Sequence, residues 1–179
     1  MEFEYLKSNE LFADRYYDSL FEKCERPIII ADHLRNPENM GSLIRLAANI
    51  GAKEVLFLDE ERRVRLDKIR RAAASSFNNV QWAFANEAEV WERIPKDYTF
   101  VAIETAISAT NIYATQLPEK IAFIIGNENA GINDQILKKI EMCVYIPVPG
   151  NTCSLNVTHA ASVAVFEWLR QMLIAQKMI

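Results

Sequence analysis

Apolar and polar positions along this chain switch between two periods, and the switching predicts strands alternating with helices. Pro27 to Ala31 is a short β-branched run with the length and composition of a buried strand. Asn36-Pro37-Glu38-Asn39 follows as a turn, with a capping amide expected at its end. Met40, Leu43, Ile44 and Ala47 then recur at helical spacing, and Gly51 sits where a helix C-cap glycine belongs. Val55 to Leu58 is a second buried strand. Strand, helix and strand within about thirty residues make a βαβ unit and imply a parallel sheet.

The same pattern runs to the end of the chain. Before the unit, Leu11, Phe12, Tyr16, Leu20 and Phe21 predict an amphipathic helix from Asn9 to Cys24. After it, helices are expected over Leu66 to Ala74, Glu87 to Arg93 (stopped by Pro95) and Asn133 to Ile140. Strands are expected at Val80 to Phe84, Thr99 to Ile103, Ile121 to Ile125 and Val144 to Ile146. Ser108 to Gln116 fits a loop or a turn of helix equally well. Val157 to Ala175 is the longest predicted helix. Its apolar positions, among them Val157, Ala161, Val165, Trp168, Leu169 and Leu173, cover more than one stripe. A helix that apolar should bury a second face, against another subunit. With no repeat and no linker, the expected architecture is a single α/β domain with a mainly parallel sheet.

Composition adds little until it is resolved along the chain. At 179 residues there is room for one domain with a substantial core. A net charge of −4 argues against a nonspecific nucleic-acid binder. Yet Arg62, Arg63, Arg65, Lys68, Arg70 and Arg71 crowd one stretch. Alone, that run fits either a solvated helix face or a phosphate-contacting patch. Cys24, Cys143 and Cys153 are odd in number and scattered, which suits free thiols in a reducing compartment. His33 and His159 lie too far apart in sequence to suggest a multi-histidine metal centre, so no metal is expected. The first residues lack a signal peptide's basic and apolar regions, and no apolar run reaches membrane-spanning length. A soluble, cytoplasmic protein is expected.

Three segments could carry chemistry. Residues 36–45 open a helix just after a strand, where backbone N–H groups favour an anion; an N-capped helix with an ordinary surface Arg45 is the plainer reading. Gly126-Asn127-Glu128-Asn129-Ala130-Gly131 brackets polar residues with glycines, as a ligand loop or a plain strand-to-helix turn would. It lacks the Lys-Ser/Thr ending of a Walker A loop and is not GxGxxG. Residues 147–156 are irregular for longer than the capping of the last helix by Ser154 or Asn156 requires.

Taken in order, these segments resemble the SpoU (TrmH-type) branch of the SPOUT RNA methyltransferases. The matching residues are Asn39-x-Gly41-x-x-x-Arg45 with Ile50-Gly51, Gly126-Asn127-Glu128-x-x-Gly131, and Ile146-Pro147-x-x-Gly150 followed by Ser154-Leu155-Asn156. The resemblance runs from about Pro27 to Phe166. It implies an α/β SPOUT fold with a C-terminal trefoil knot, spanning residues 26–179 after an N-terminal helical extension of residues 1–25. It also implies methyl transfer from S-adenosylmethionine to a ribose 2′-hydroxyl of RNA by a homodimer. Its catalytic residues carry over to Arg45, Asn39, Glu128, Ser154 and Asn156. Its cofactor contacts carry over to Gly126, Ile146 and Leu155, with main-chain groups of Val148 and Gly150 for the adenine. Arg62, Arg63, Arg65, Lys68 and Arg71 become candidate RNA contacts. Many relatives carry Arg-x-Ser-x-Gly-Ala where this chain reads Arg71-Ala72-Ala73-Ala74-Ser75-Ser76, keeping the arginine and losing the glycine. With only a short segment before the catalytic domain, tRNA is the expected substrate ahead of rRNA. The rival from another class is a non-catalytic RNA-binding protein that retains the fold.

Overall fold

The computed structural model of the chain describes residues 5, 7–11, 16–59, 64–152 and 154–179. Within them, β1 (Ile28–Asp32), β2 (Glu54–Leu58), β3 (Gln81–Ala85), β4 (Thr99–Ile103), β5 (Thr110–Asn111), β6 (Ile121–Ile125) and β7 (Met142–Tyr145) form one sheet. The order is β3-β2-β1-β6-β4-β7-β5, and each neighbouring pair is parallel. β1, β2 and β6 are buried along their whole length, which explains why they are apolar but for Asp32 and Glu54 at two of their ends: helices cover both faces.

Alternate residues of each strand serve different layers. Ile29, Ala31, Val101, Phe123 and Ile125 pack under α2 (Pro37–Ile50), α3 (Leu66–Ala73) and α6 (Val157–Ala175). Ile28, Ile30, Ala102 and Ile124 pack against α4 (Glu87–Arg93) and α5 (Asp134–Leu137) on the opposite face. This period-two division of strand side chains is what holds the three layers in register.

α2 begins earlier than the sequence pattern suggests. Its N-cap is Asn36, whose side chain accepts from the Glu38 N–H, and Pro37 occupies the first turn. Proline fits there because its missing N–H would be unpaired anyway. Asn39 is therefore inside the helix and buried, not at its cap. Gly51 ends the helix in the left-handed region, at φ 70°, as expected. Gly41 is where α2 touches α3: a Cβ there would lie 2.6 Å from the Ile69 carbonyl oxygen and 2.8 Å from the Ala73 nitrogen. That glycine serves helix packing.

Other boundaries move as well. The N-terminal helix falls partly on residues 12–15, outside the described residues. What is described is a turn of helix, α1 (Ser8–Leu11), and a 3₁₀ segment over Tyr16–Glu22 that buries Leu20 and sets Phe21 under the Arg26 guanidinium. The ambiguous stretch after β4 forms β5 and a 3₁₀ turn over Ile112–Ala114. α5 stops at Leu137, well before Ile140, and β7 runs from Met142 to Tyr145, which leaves Ile146 in the following loop.

α6 holds the segment between β5 and β6 by side chains. Gln171 Nε2 donates to the Thr115 carbonyl (2.9 Å), and its Oε1 accepts from the Leu117 N–H (2.8 Å). Trp168, fully buried, donates to the Pro118 carbonyl (3.0 Å). Cys24 and Cys143 are free; burial, then nearby carboxylates, pushes the Cys24 thiol up to about 11, and burial raises Cys143 too. Cys153 lies outside the described residues. Among the described residues no helix is long and apolar enough to cross a membrane, and no group of three metal-ligating side chains converges.

Candidate active site

The carboxyl ends of β4, β6 and β7, with the start of α6, enclose a cavity of about 410 Å³. Parallel sheets place ligand sites at this edge because side chains and loops there are free of the ladder. Of the residues singled out from sequence, Gly126, Glu128, Ile146, Val148, Ser154, Leu155 and Asn156 line it. Gly150 is not in the lining, and no described residue lies within 4 Å of where its Cβ would be. Main-chain groups of Val148 and Leu155 make no backbone–backbone hydrogen bond among the described residues, which leaves them available to a ligand.

The glycine-bracketed loop is built to close on itself. Asn127 and Gly131 exchange both backbone hydrogen bonds (2.9 and 3.0 Å), and Asn127 Oδ1 accepts from the N–H groups of Asn129 and Ala130. A Cβ on Gly126 would lie 2.3 Å from the Gly131 carbonyl carbon. Gly131 has φ 70° and sits against the Glu104 carboxylate. Glu104 in turn accepts from the Ile132 and Thr105 N–H groups at 3.1 and 2.9 Å. Sequence reasoning passed over Glu104, although an acid directly after a strand at the carboxyl edge was a usable signal.

Three of the expected catalytic residues form one hydrogen-bonded chain. The Glu128 carboxylate accepts from Asn39 Nδ2 at 2.9 Å and from the Arg35 and Asn36 N–H groups, both at 3.1 Å. Asn156 Nδ2 donates to Asn39 Oδ1 at 3.3 Å, while Asn156 Oδ1 caps α6 through the Thr158 N–H. Residues more than a hundred positions apart are thereby joined, and Glu128 supplies negative charge at the positive end of α2.

Burial pushes the Glu128 carboxyl up, but the hydrogen bonds from Asn39, Arg35 and Asn36 together outweigh it and hold the pKa below the ordinary range. The lowered value makes it a weak proton acceptor. It also links stability to pH: the contribution is complete above the unfolded value of about 4.3 and disappears as pH falls through the lower folded value. Glu128→Gln should cost about 1 kcal/mol near neutrality, since the group is partly solvated. In urea unfolding the gap between wild type and variant is expected to close below about pH 4. A gap of constant size down to pH 3 would contradict this linkage.

Arg45 lies elsewhere. It is exposed on α2, outside the cavity wall, and makes no hydrogen bond or ion pair among the described residues. Arg65, Lys68 and Arg71 are exposed on or beside α3. Arg65 is engaged with Asp67, whose carboxyl it holds below the usual range, and Arg70 stacks over Phe77. Arg62 and Arg63 lie outside the described residues.

Comparison with known proteins bears on the family. The family model described as "SpoU rRNA Methylase family" matches residues 26–166. Over 160 residues the chain is 28% identical to the 23S rRNA (guanosine-2′-O-)-methyltransferase RlmB of Pasteurella multocida, covering 87% of this chain and 65% of that protein. It is 26% identical over 170 residues to the tRNA (guanosine(18)-2′-O)-methyltransferase TARBP1 of Mus musculus, covering 91% of this chain and 10% of the mouse protein. The crystal structure of the SpoU methyltransferase AviRb from Streptomyces viridochromogenes superposes with a TM-score of 0.78 at 22% identity, over 89% of this chain and 64% of that one. AviRb has also been solved with AdoMet. The chain thus spans under two thirds of the length of each of these relatives.

Proposed function

The chain belongs to the SpoU rRNA Methylase family, and from that premise we propose that it transfers a methyl group from S-adenosylmethionine to a ribose 2′-hydroxyl of RNA. The observation that carries this reading is the charge of the cavity wall. Glu104 and Glu128 line it, and among the described residues no lysine, arginine or histidine does. A cationic sulfonium is attracted to such a wall, whereas the polyphosphate of a nucleotide cofactor is repelled. The volume of about 410 Å³ suits a small cofactor.

S-adenosylmethionine, when bound, supplies a methyl carbon already activated by its positive sulfur. The protein's task is then to align the ribose oxygen with that carbon, which can account for most of the acceleration. Main-chain groups at Gly126, Ile146 and Leu155 would hold the cofactor, with those of Val148, in the cavity wall, and of Gly150 for the adenine. Arg45 binds a phosphate of the target nucleotide and lowers the cost of forming the alkoxide; a guanidinium with a pKa above about 12 is a poor base. Asn39 orients the ribose, Glu128 and Asn156 position Asn39 through the hydrogen-bonded chain, and Ser154 stands exposed at the cavity for the hydroxyl. Arg65, Lys68 and Arg71, with Arg62 and Arg63, bind RNA phosphates.

The catalytic domain is residues 26–179, with residues 1–25 preceding it. Threading of its last segment as a trefoil knot is supported by the position of β7 between β4 and β5 and by the bonds from α6 to residues 115–118. Dimerisation through α6 is supported by Phe166 and Ile174, which stay about half exposed while the opposite side of the helix fills the core.

The named relatives move the substrate towards rRNA. The tRNA expectation rested on the short stretch before the first strand, while RlmB enzymes from several bacteria match most of this chain. tRNA is the second reading, favoured by the match to TARBP1. Calorimetry with S-adenosylmethionine, then transfer of its labelled methyl group to 23S rRNA and to bulk tRNA, tests both levels. Binding with label in rRNA is expected. Label in tRNA alone would select the second reading, and no cofactor binding would remove the enzyme in favour of a non-catalytic RNA binder.

A further inference from the structure

A second cavity, of about 660 Å³, lies beyond the ends of β1 and β2. The 126–131 loop is its common wall with the first cavity, since Asn127 and Gly131 line both. His33 stands in its lining with φ 48°, a left-handed conformation that a residue with a Cβ adopts only at a cost. The surroundings hold it there. Its N–H donates to the Leu58 carbonyl (3.0 Å), and its carbonyl accepts from Asn127 Nδ2 (2.6 Å). Its ring Nδ1 lies 2.5 Å from Asp32 Oδ1, and the other oxygen of that buried carboxylate accepts from the Asn133 N–H at 2.7 Å.

Core packing does not explain this arrangement, because the His33 side chain is 56% exposed. What the strain and the buried carboxylate achieve is to fix one imidazole with Nδ1 occupied and Nε2 left over. An ionised carboxylate can only accept, so Nδ1–H donates to Asp32, and in the neutral ring Nε2 is left as an acceptor for a hydroxyl or a base N–H. Arg35 lines the same cavity, and its guanidinium has no ion-pair partner among the described residues. Val64 and Ala130 add apolar surface of the kind a base rests on.

We propose that this cavity binds a nucleotide of the substrate RNA next to the one that is methylated, its phosphate on Arg35 and a ribose hydroxyl or base N–H donating to His33 Nε2. The inference rests on the RNA methyl-transfer reading. Occupation of the second cavity would press on the shared loop, and so set which nucleotide presents its ribose at the first.

With two histidines in the chain, His33 is directly observable. ¹⁵N-histidine labelling of the full chain carrying His159→Gln leaves one imidazole signal pair, to be followed while a nine-nucleotide single-stranded RNA of mixed sequence is added. A saturable shift of the Nε2 signal is expected with RNA and none with S-adenosylmethionine. His33→Gly and His33→Asn both tolerate the left-handed backbone, so they should fold. Each is expected to weaken RNA binding about tenfold while cofactor affinity is unchanged. An unmoved His33 signal at RNA saturation, or wild-type RNA affinity in both variants, would overturn the inference and leave methyl transfer standing. Absence of both RNA and cofactor binding in the wild type would instead remove the functional reading, and this inference with it.

Discussion

Arg45→Ala is expected to lower single-turnover methyl transfer by about 10²–10³-fold while S-adenosylmethionine affinity stays within twofold of wild type, on the scale of losing one preorganised charge at a developing oxyanion. The two halves of the expectation have separate structural grounds. Arg45 is exposed, without partner among the described residues, and outside the wall of the first cavity, so its loss should not disturb the cofactor. Its helix, however, is tied to the candidate site through Asn39 and Glu128, which would fix the direction from which its side chain approaches bound RNA. Arg45→Lys keeps the charge but loses the planar fork and should recover only part of the rate. Tritium transfer to RNA, with calorimetry on the same samples, checks both halves. Residual turnover within fivefold of wild type would end the assignment of Arg45.

Gly126→Ala is expected to destabilise the protein by about 3 kcal/mol or more and to abolish cofactor binding. The added carbon would meet backbone, at 2.3 Å from the Gly131 carbonyl carbon and 2.4 Å from the Ile132 nitrogen. Backbone atoms cannot rotate away as a side chain can. The loop would have to open, breaking the paired bonds between Asn127 and Gly131 and the bond from Ile132 to Glu104. Gly150→Ala is the matched control. Its Cβ would meet no described residue within 4 Å, so stability should change by less than about 0.5 kcal/mol. Urea unfolding of the two variants side by side decides the matter, and equal stability would show that the loop closure does not constrain Gly126.

The two glycines show how far sequence reading reaches. Both occupy family motifs, and both look alike on paper as places where backbone approaches a ligand. In the structure Gly126 makes room for its own loop, whereas a Cβ on Gly150 would meet no described residue. Missing side chains are legible in sequence; what fills the space is not, because the neighbour comes from a distant segment. Asn39 teaches the same lesson. As an amide after a turn it suggests a cap, but proline at the next position after Asn36 had already set the helix start, and Asn39 was free to bond Glu128.

What the sequence determined by itself was the alternation of elements, the parallel sheet, the location of the site in the closing loops and, through three ordered motifs, the family. These follow from local periodicity and from residue types that survive without knowledge of neighbours. Only the tertiary structure decided that Glu128 is a depressed, fully engaged carboxylate, that Glu104 joins it to give the cavity an acidic wall, and that His33 is locked over a second cavity. Apart from the neighbouring Asp32–His33 pair, those properties belong to contacts between the ends of β1, β2, β4 and β6 and the starts of α2 and α6, which lie in distant stretches of the chain.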